Sequence, residues 1–440
     1  MSAESAAAPT AAARTGDLST PYKIYVLALL VLVYISNYAD RILLGILLPA
    51  IKAEFGLTDT ELGFLHGTSF AIFYATLGVP IAIYADRGNR KLVIVAATAT
   101  WSAMTALCGM AQSYWQLVAA RIGVGVGEAG SNPPSHSIIS DLFTLKYRGT
   151  ALAIFSQGVS LGIVVGLYGG AQVAEAYGWR VAFYALGLPG LAIALLVLLT
   201  LVEPRRGASD GHSFSGEPPS FVSTLRFIGS QRSLVHILIG STLATLVGYS
   251  GVLWWPSFIM RSHGLSPADM SAFLALVFGL GSGFGIFLGG YLSDYFGRRD
   301  VKLMPRVVAV AILIGIPFGL ALYIVDDSTL VFLLIGIPAA AGGMYLGPSI
   351  AMVQSLVAVR MRTVASALFL FIINLIGMGL GSLLIGGLSD GLKPTYGDDA
   401  LRYALLIVTV FNIWAIFHYW RAGRFIEADL KTAAAASAKG

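Results

Sequence analysis

Long apolar runs separated by short polar ones follow one another along almost the whole chain. A helix needs about 20 mainly apolar residues to cross a bilayer. Twelve such runs can be placed, at 22–51, 60–85, 91–111, 114–140, 149–173, 178–202, 233–260, 268–293, 303–325, 329–358, 362–389 and 400–420. They are too long, and alternate too little, for the strands of a membrane barrel. The pattern predicts an all-α membrane protein with twelve transmembrane helices in two pseudo-symmetric six-helix bundles. The polar stretches divide the chain into a tail (1–21), a first bundle (22–203), a linker (204–231), a second bundle (232–420) and a closing tail (421–440). Within the linker, 220–229 places Phe221, Leu225 and Ile228 on one face, as in a short helix lying on a membrane surface. The Gly, Ser and Pro around it fit a flexible connection equally well.

Composition agrees. The chain is 56% hydrophobic and 12% charged, against about 25% charged in soluble domains. A soluble surface must be wet, so this deficit excludes an ordinary soluble enzyme. The net charge of +5 would suggest nucleic acid in a soluble protein. Here the basic residues lie in loops, and no nucleic-acid partner is expected. One membrane side receives only Lys52, Arg180, Arg261, Lys393 and Arg402; Arg41 and Arg121 fall inside spans, and the rest of the 28 Lys and Arg lie on the other side. That bias predicts a multi-pass protein of the cell (inner) membrane with both termini cytoplasmic. Trp115, Trp179, Trp254, Trp255 and Trp420 fall near span ends, where amphipathic rings are comfortable. The first residues lack a basic stretch joined to an apolar core, and read as a disordered tail, not a signal peptide.

Two loops look alike at half-chain spacing. Asp86, Arg87, Gly88, Asn89, Arg90 and Lys91 follow the second run; Gly290, Asp294, Gly297, Arg298 and Arg299 follow or close the eighth. Arg148 before the fifth run is echoed by Arg362 before the eleventh. Such repetition marks duplicated halves. In the second loop a small residue admits a neighbouring helix, and Asp294 can accept N–H bonds at a facing helix N-terminus, where the dipole is positive. The Gly-x-x-x-Asp-x-x-Gly-Arg-Arg pattern at 290–299 resembles the signature loop of the major facilitator superfamily. The first copy departs from it, with Ala82 in place of the glycine and Gly88 shifted by one. The resemblance implies a cytoplasmic gate built from Asp86, Arg87, Arg90, Gly290, Asp294, Gly297, Arg298 and Arg299, and a transporter. It does not fix the substrate.

Ionisable groups inside the apolar runs carry the functional signal. Asp40 and Arg41 lie in the first run, Arg121 and Glu128 in the fourth. Each costs roughly 2.5–3.5 kcal/mol at mid-membrane, so such groups pair, line water or titrate. Arg121, Gly125 and Glu128 share one helix face, as do Tyr34, Asn37, Tyr38 and Arg41. Asp40 points about 100° away from Arg41, so each needs a partner on another helix. Arg41 is expected to pair with Glu128, and Arg121 with Asp40 or Glu128. Asn132, Pro133 and Pro134 then break the fourth helix just past Glu128. His66 and His136 fit either a proton relay or simple packing.

The strings Asn37-Tyr38-Ala39-Asp40-Arg41, Gly125-Val126-Gly127-Glu128-Ala129 and Asp141-Leu142-Phe143 resemble the spinster branch of that superfamily. The resemblance implies proton-linked export of lysolipids or sphingoid phosphates. Asp40 and Glu128 are the expected proton-coupling residues; Arg41, Arg121, Asn37, Tyr38, Asn132 and His66 are the expected substrate-binding residues. Burial favours the neutral form of a carboxyl and a neighbouring guanidinium the ionised form, so breaking a pair would move a proton. The second-half spans hold no Asp, Glu, Lys or Arg at depth. A cavity charged on one wall and apolar on the other suits an amphiphilic anion; a carrier of drugs or small organic anions is the alternative, and a non-transporting sensor a weaker one. No His-Glu-x-x-His, Gly-x-Ser-x-Gly or Walker-type loop is present, so neither catalysis nor ATP is indicated. No cofactor or metal is expected, with a proton gradient as energy source. The single Cys108 excludes an internal disulfide framework. The expected partners are the bilayer, protons and an amphiphilic small molecule, with the protein a monomer.

Overall fold

In the computed structural model, residues 18–204, 221–358 and 361–438 are described, apart from side chains at 79, 82, 83, 86, 87, 145, 146, 221, 363 and 438. Nine helical stretches are long and apolar enough to cross a membrane, and the longest, Val364–Ser437, holds two spans. The stretches 59–87 and 114–142 complete a set of twelve. In order the spans are Thr20–Phe55, 59–87, Arg90–Met110, 114–142, 145–177, Trp179–Thr200, Arg232–His263, Pro267–Gly297, Leu303–Ile324, Ser328–Ser355, 362–396 and 400–438.

Local chemistry sets their ends. Span one closes on Gly56, whose φ of 65° is the left-handed conformation that glycine adopts without strain, and its N–H returns to the Lys52 carbonyl. Span two opens with a capping box between Thr58 and Glu61, and span eight with one between Ser266 and Asp269. The Asn-Pro-Pro segment splits span four into Tyr114–Glu128 and Asn132–Leu142. Span ten is split in the equivalent place, into Ser328–Gly343 and Leu346–Ser355. Arg148 donates to the Ser140 carbonyl at the end of span four (2.9 Å), and Arg362 to the Gln354 carbonyl at the end of span ten (3.0 Å). The duplication read from sequence thus recurs in caps, breaks and side-chain bonds.

One wide, π-helical turn interrupts each of spans two, five, eight and eleven: Phe64–Thr68, Val165–Gly169, Val277–Gly281 and Ile373–Leu380. These four spans carry most of the packing between the halves, two against eleven and five against eight.

Of the two readings of the linker the helix is the one observed, and one terminal expectation changes. A surface helix, Phe221–Ser230, occupies the linker and packs on spans seven and eleven; 205–220 lie outside the described residues. The closing tail is not a separate segment, because the last helix runs on to Ala438. Asp429 there accepts from the Ser233 N–H and hydroxyl (both 2.6 Å), satisfying the exposed N-terminus of span seven, while Ala422, Ile426 and Ala433 bury an apolar stripe. Trp254 and Trp255 are also not interfacial. They are buried and donate to Ser382 and to the Tyr323 hydroxyl.

Candidate functional site

The membrane side that carries the linker helix is called the linker face below, and its opposite the far face. Spans one and four bring the buried charges together inside the first half. Arg41 donates to Glu128 Oε2 from Nε (3.0 Å) and Nη2 (2.6 Å). Its guanidinium is ringed by Tyr38, Phe70 and Tyr74 at 4.8–5.0 Å, and such ring faces favour a desolvated cation. Tyr249 approaches it from span seven, so the pair sits where the two halves meet. Asn37 lies beside Glu128. Asp40 accepts from Thr105 on span three (3.1 Å). Asp40, Arg121 and Glu128 are 1% exposed or less, and Arg41 5%.

Arg121 differs from expectation. It makes no ion pair with Asp40 or Glu128 among the described residues, and its Nε and Nη1 have no hydrogen-bond partner. It lies over the Phe70 ring at 5.4 Å. One oxygen each of Asp40 and Glu128, and both ring nitrogens of His66, are also buried without a partner. His66 sits on the wide turn of span two, against Gly45 of span one. Asn132 starts the second piece of span four and makes no side-chain bond to the cluster among the described residues. His136 stands outside the cluster and packs edge-on against Phe155.

The residues expected to form a gate at the linker face are spread apart. Arg90 is fully buried and binds Asp141, Ser137 (2.8 Å), Glu203 (2.7 Å) and the Pro204 carbonyl (2.8 Å). It ties spans three, four and six of one half together and does not bridge the halves. The side chains of Asp86 and Arg87 lie outside the described residues. Asp294, Arg298 and Arg299 are exposed, with Arg299 donating to Tyr295 (2.6 Å). Gly290 has open space around it, and Gly297 faces Met304 of span nine. The close helix approach is made instead by Gly285 and Gly289, where any Cβ would collide with the span ten backbone at Ala340 and Met344.

Helix-terminus chemistry of the kind expected of Asp294 appears at the far face. Asp390 of span eleven accepts from the Asp59 N–H (2.9 Å), the Thr60 N–H (2.7 Å) and the Thr60 hydroxyl (2.6 Å), capping span two of the other half. In the pseudo-symmetric place Glu175 of span five accepts from the Ala268 N–H (2.9 Å) and Ser266 hydroxyl (3.4 Å), capping span eight. Asp59 is gripped by Arg261 through two bonds (2.7 and 2.8 Å), by Ser389 (2.6 Å) and by Lys52. The carboxylate is buried, and these donors compensate it. Between described residues, the side-chain hydrogen bonds that join the halves lie at the far face or, as with Thr68 to Gly379, at mid-depth. Sequence reading passed over Asp59, Glu175, Arg261 and Asp390 because they sit outside the apolar runs. The two capping boxes were the signal that marked the helix starts they secure.

Duplicated halves, sealed at one face over a buried charge cluster, define a membrane transporter. The profile described as Major Facilitator Superfamily matches residues 30–422. The chain is 32% identical to an MFS-type efflux pump of Mycolicibacterium smegmatis over 91% of this chain and 92% of that protein. It is 29% identical to protein spinster homolog 1 of Bos taurus over 96% and 84%. Among solved structures, a bacterial homolog of the human lysosomal transporter spinster, inward-facing and unoccupied, superposes with a TM-score of 0.85 at 32% identity, covering 94% of this chain and 99% of that one. The chain belongs to the major facilitator superfamily, in its spinster branch.

Proposed function

We propose that the chain is a proton-coupled secondary transporter that moves an anionic amphiphile by alternating access across the inner membrane, with the linker face cytoplasmic. The observation that carries this reading is the buried Arg41–Glu128 pair, with Asp40 and Arg121 unpaired beside it, at the meeting of the halves. Breaking a buried pair costs about 3–5 kcal/mol if one charge is left uncompensated. A proton delivered to Glu128 neutralises the carboxylate, and an anionic head group taking its place on Arg41 offsets that penalty. Uptake or loss of one proton then links the pairing to the position of the halves.

The second-half wall is uncharged but not featureless. Tyr345 bonds Thr245 (2.7 Å), and Tyr419, Ser241 and Ser349 pair with one another in the buried interior of that half (2.7 and 2.8 Å). With these hydroxyls already paired, the second half offers an alkyl tail mostly apolar contact. An export role for drugs or small organic anions is the second reading, favoured by the likeness to the mycobacterial efflux pump.

Transport by purified protein in liposomes, with and without an imposed pH gradient, tests the coupling. Glu128→Gln is expected to fold, to bind substrate and to lose the gradient's effect on rate. Full gradient-driven transport by this variant would end the coupling proposal. Arg41→Ala is expected to weaken binding of single-chain phosphate lipids more than that of neutral analogues of equal chain length.

A further inference from the structure

We propose that the flank of the second half binds an anionic diacyl phospholipid, with one acyl chain in a groove between spans eight, nine and ten and its phosphate on Arg306. The groove holds about 640 Å³ and is lined by apolar side chains that include Leu292, Phe296, Val310, Ile314 and Ile337. That volume lies in the ordinary range for a single small-molecule ligand, roughly 300–1,000 Å³. The principal packing partners of span nine all belong to the second half. Val310, Ile314 and Ile337 stay exposed in the isolated protein, so the groove opens to the bilayer and not into the cleft between the halves.

Arg306 is the one charged residue in the lining, and it stands at the linker-face end, in the first turn of span nine. Its Nε is buried with no hydrogen-bond partner among the described residues. Its guanidinium rests over Trp420 at 5.1 Å. No described residue answers the charge with an ion pair: the first turn of span nine holds no acidic residue, and Glu427 on span twelve is engaged by Lys302 and Lys431 (both 3.3 Å). A guanidinium with a free donor at the positive end of a helix, beside an aromatic ring at headgroup depth, is complementary to a lipid phosphate. From Arg306 to Ile314 the helix rises about 12 Å, which carries the groove from headgroup level into the acyl region. With the linker face cytoplasmic, as proposed above, the leaflet at Arg306 is the one richer in anionic lipid.

Native mass spectrometry of the full chain, titrated with phosphatidylglycerol and phosphatidylcholine of identical acyl chains, tests the assignment. The expected result is a preferred phosphatidylglycerol adduct that Arg306→Ala weakens about five- to tenfold, leaving phosphatidylcholine unchanged, while R306K keeps part of the preference. Val310→Trp fills the groove at an exposed position without touching Arg306, and is expected to weaken phosphatidylglycerol to a similar degree even if the arginine variant does not fold. Equal binding of the two lipids by the unaltered protein, or phosphatidylglycerol binding indifferent to both substitutions, would overturn the proposal. Competition by glycerol phosphate would do so too, by assigning Arg306 to a soluble anion.

Discussion

Arg121 and Arg41 lie in one bundle, yet only Arg41 has a carboxylate in contact. An unpaired buried cation lowers stability, while removing one member of a pair leaves the other exposed to that cost. Arg121→Met is therefore expected to hold or raise the melting temperature while impairing transport, whereas Glu128→Ala is expected to destabilise by about 3–5 kcal/mol. A melting series on both variants checks the contrast. The Arg41–Glu128 contact was legible in the sequence because shared helix faces leave few partners for a buried charge. The isolation of Arg121 was not, since residue spacing fixes direction around a helix but not how far two helices slide past each other. The burial of Arg90 against Asp141 and Glu203 was not legible for a related reason: in a loop rich in basic residues, a buried arginine looks the same as an exposed one.

Helix ends and helix contacts decide how the parts fit. Asp390 and Glu175 each place a carboxylate on the N-terminus of a helix from the other half, and such caps are worth about 1 kcal/mol or more. Asp390→Asn is expected to shift the balance between far-face-closed and far-face-open forms about fivefold toward the open form, read as cross-linking yield between cysteines placed on the two halves there. An unchanged yield would reduce Asp390 to a local cap. Gly289 has a different duty. A side chain there would collide with span ten at Met344, and Gly289→Ala is expected to destabilise the second half by about 1–3 kcal/mol, measurable by thermal unfolding. The twelve apolar runs and the break at Asn132 were readable from hydrophobic spacing and from proline chemistry, while the linker helix was one of two readings the spacing allowed. The continuation of span twelve to Ala438 was not, because its stabilising contacts, Asp429 with Ser233 and the stripe through Ile426, depend on where span seven begins.

At the scale of the whole molecule the halves grip each other at the far face, while the stretch of span eight nearest the linker face, Ser282–Gly297, packs chiefly on spans nine and ten. A closed far face is the arrangement that the inward-facing bacterial spinster homolog also adopts by its description. Pattern in the sequence conveys the duplication but not the state, because both facing forms bury the same helix faces within each half and differ only in contacts between halves. The four wide turns give this arrangement a mechanical consequence. Each stores surplus length in a helix that borders the cleft, and a helix yields most easily where its hydrogen-bond ladder is already dilated. Rocking then needs no melted segment, since the slack is distributed once per quarter of the protein and can be taken up or let out like a pleat. Excising a single residue from Val277–Gly281 would close one such pleat into regular helix while leaving the facing of what lies beyond nearly unchanged, giving a barrel of helices that still inserts in the bilayer but jams between its two postures.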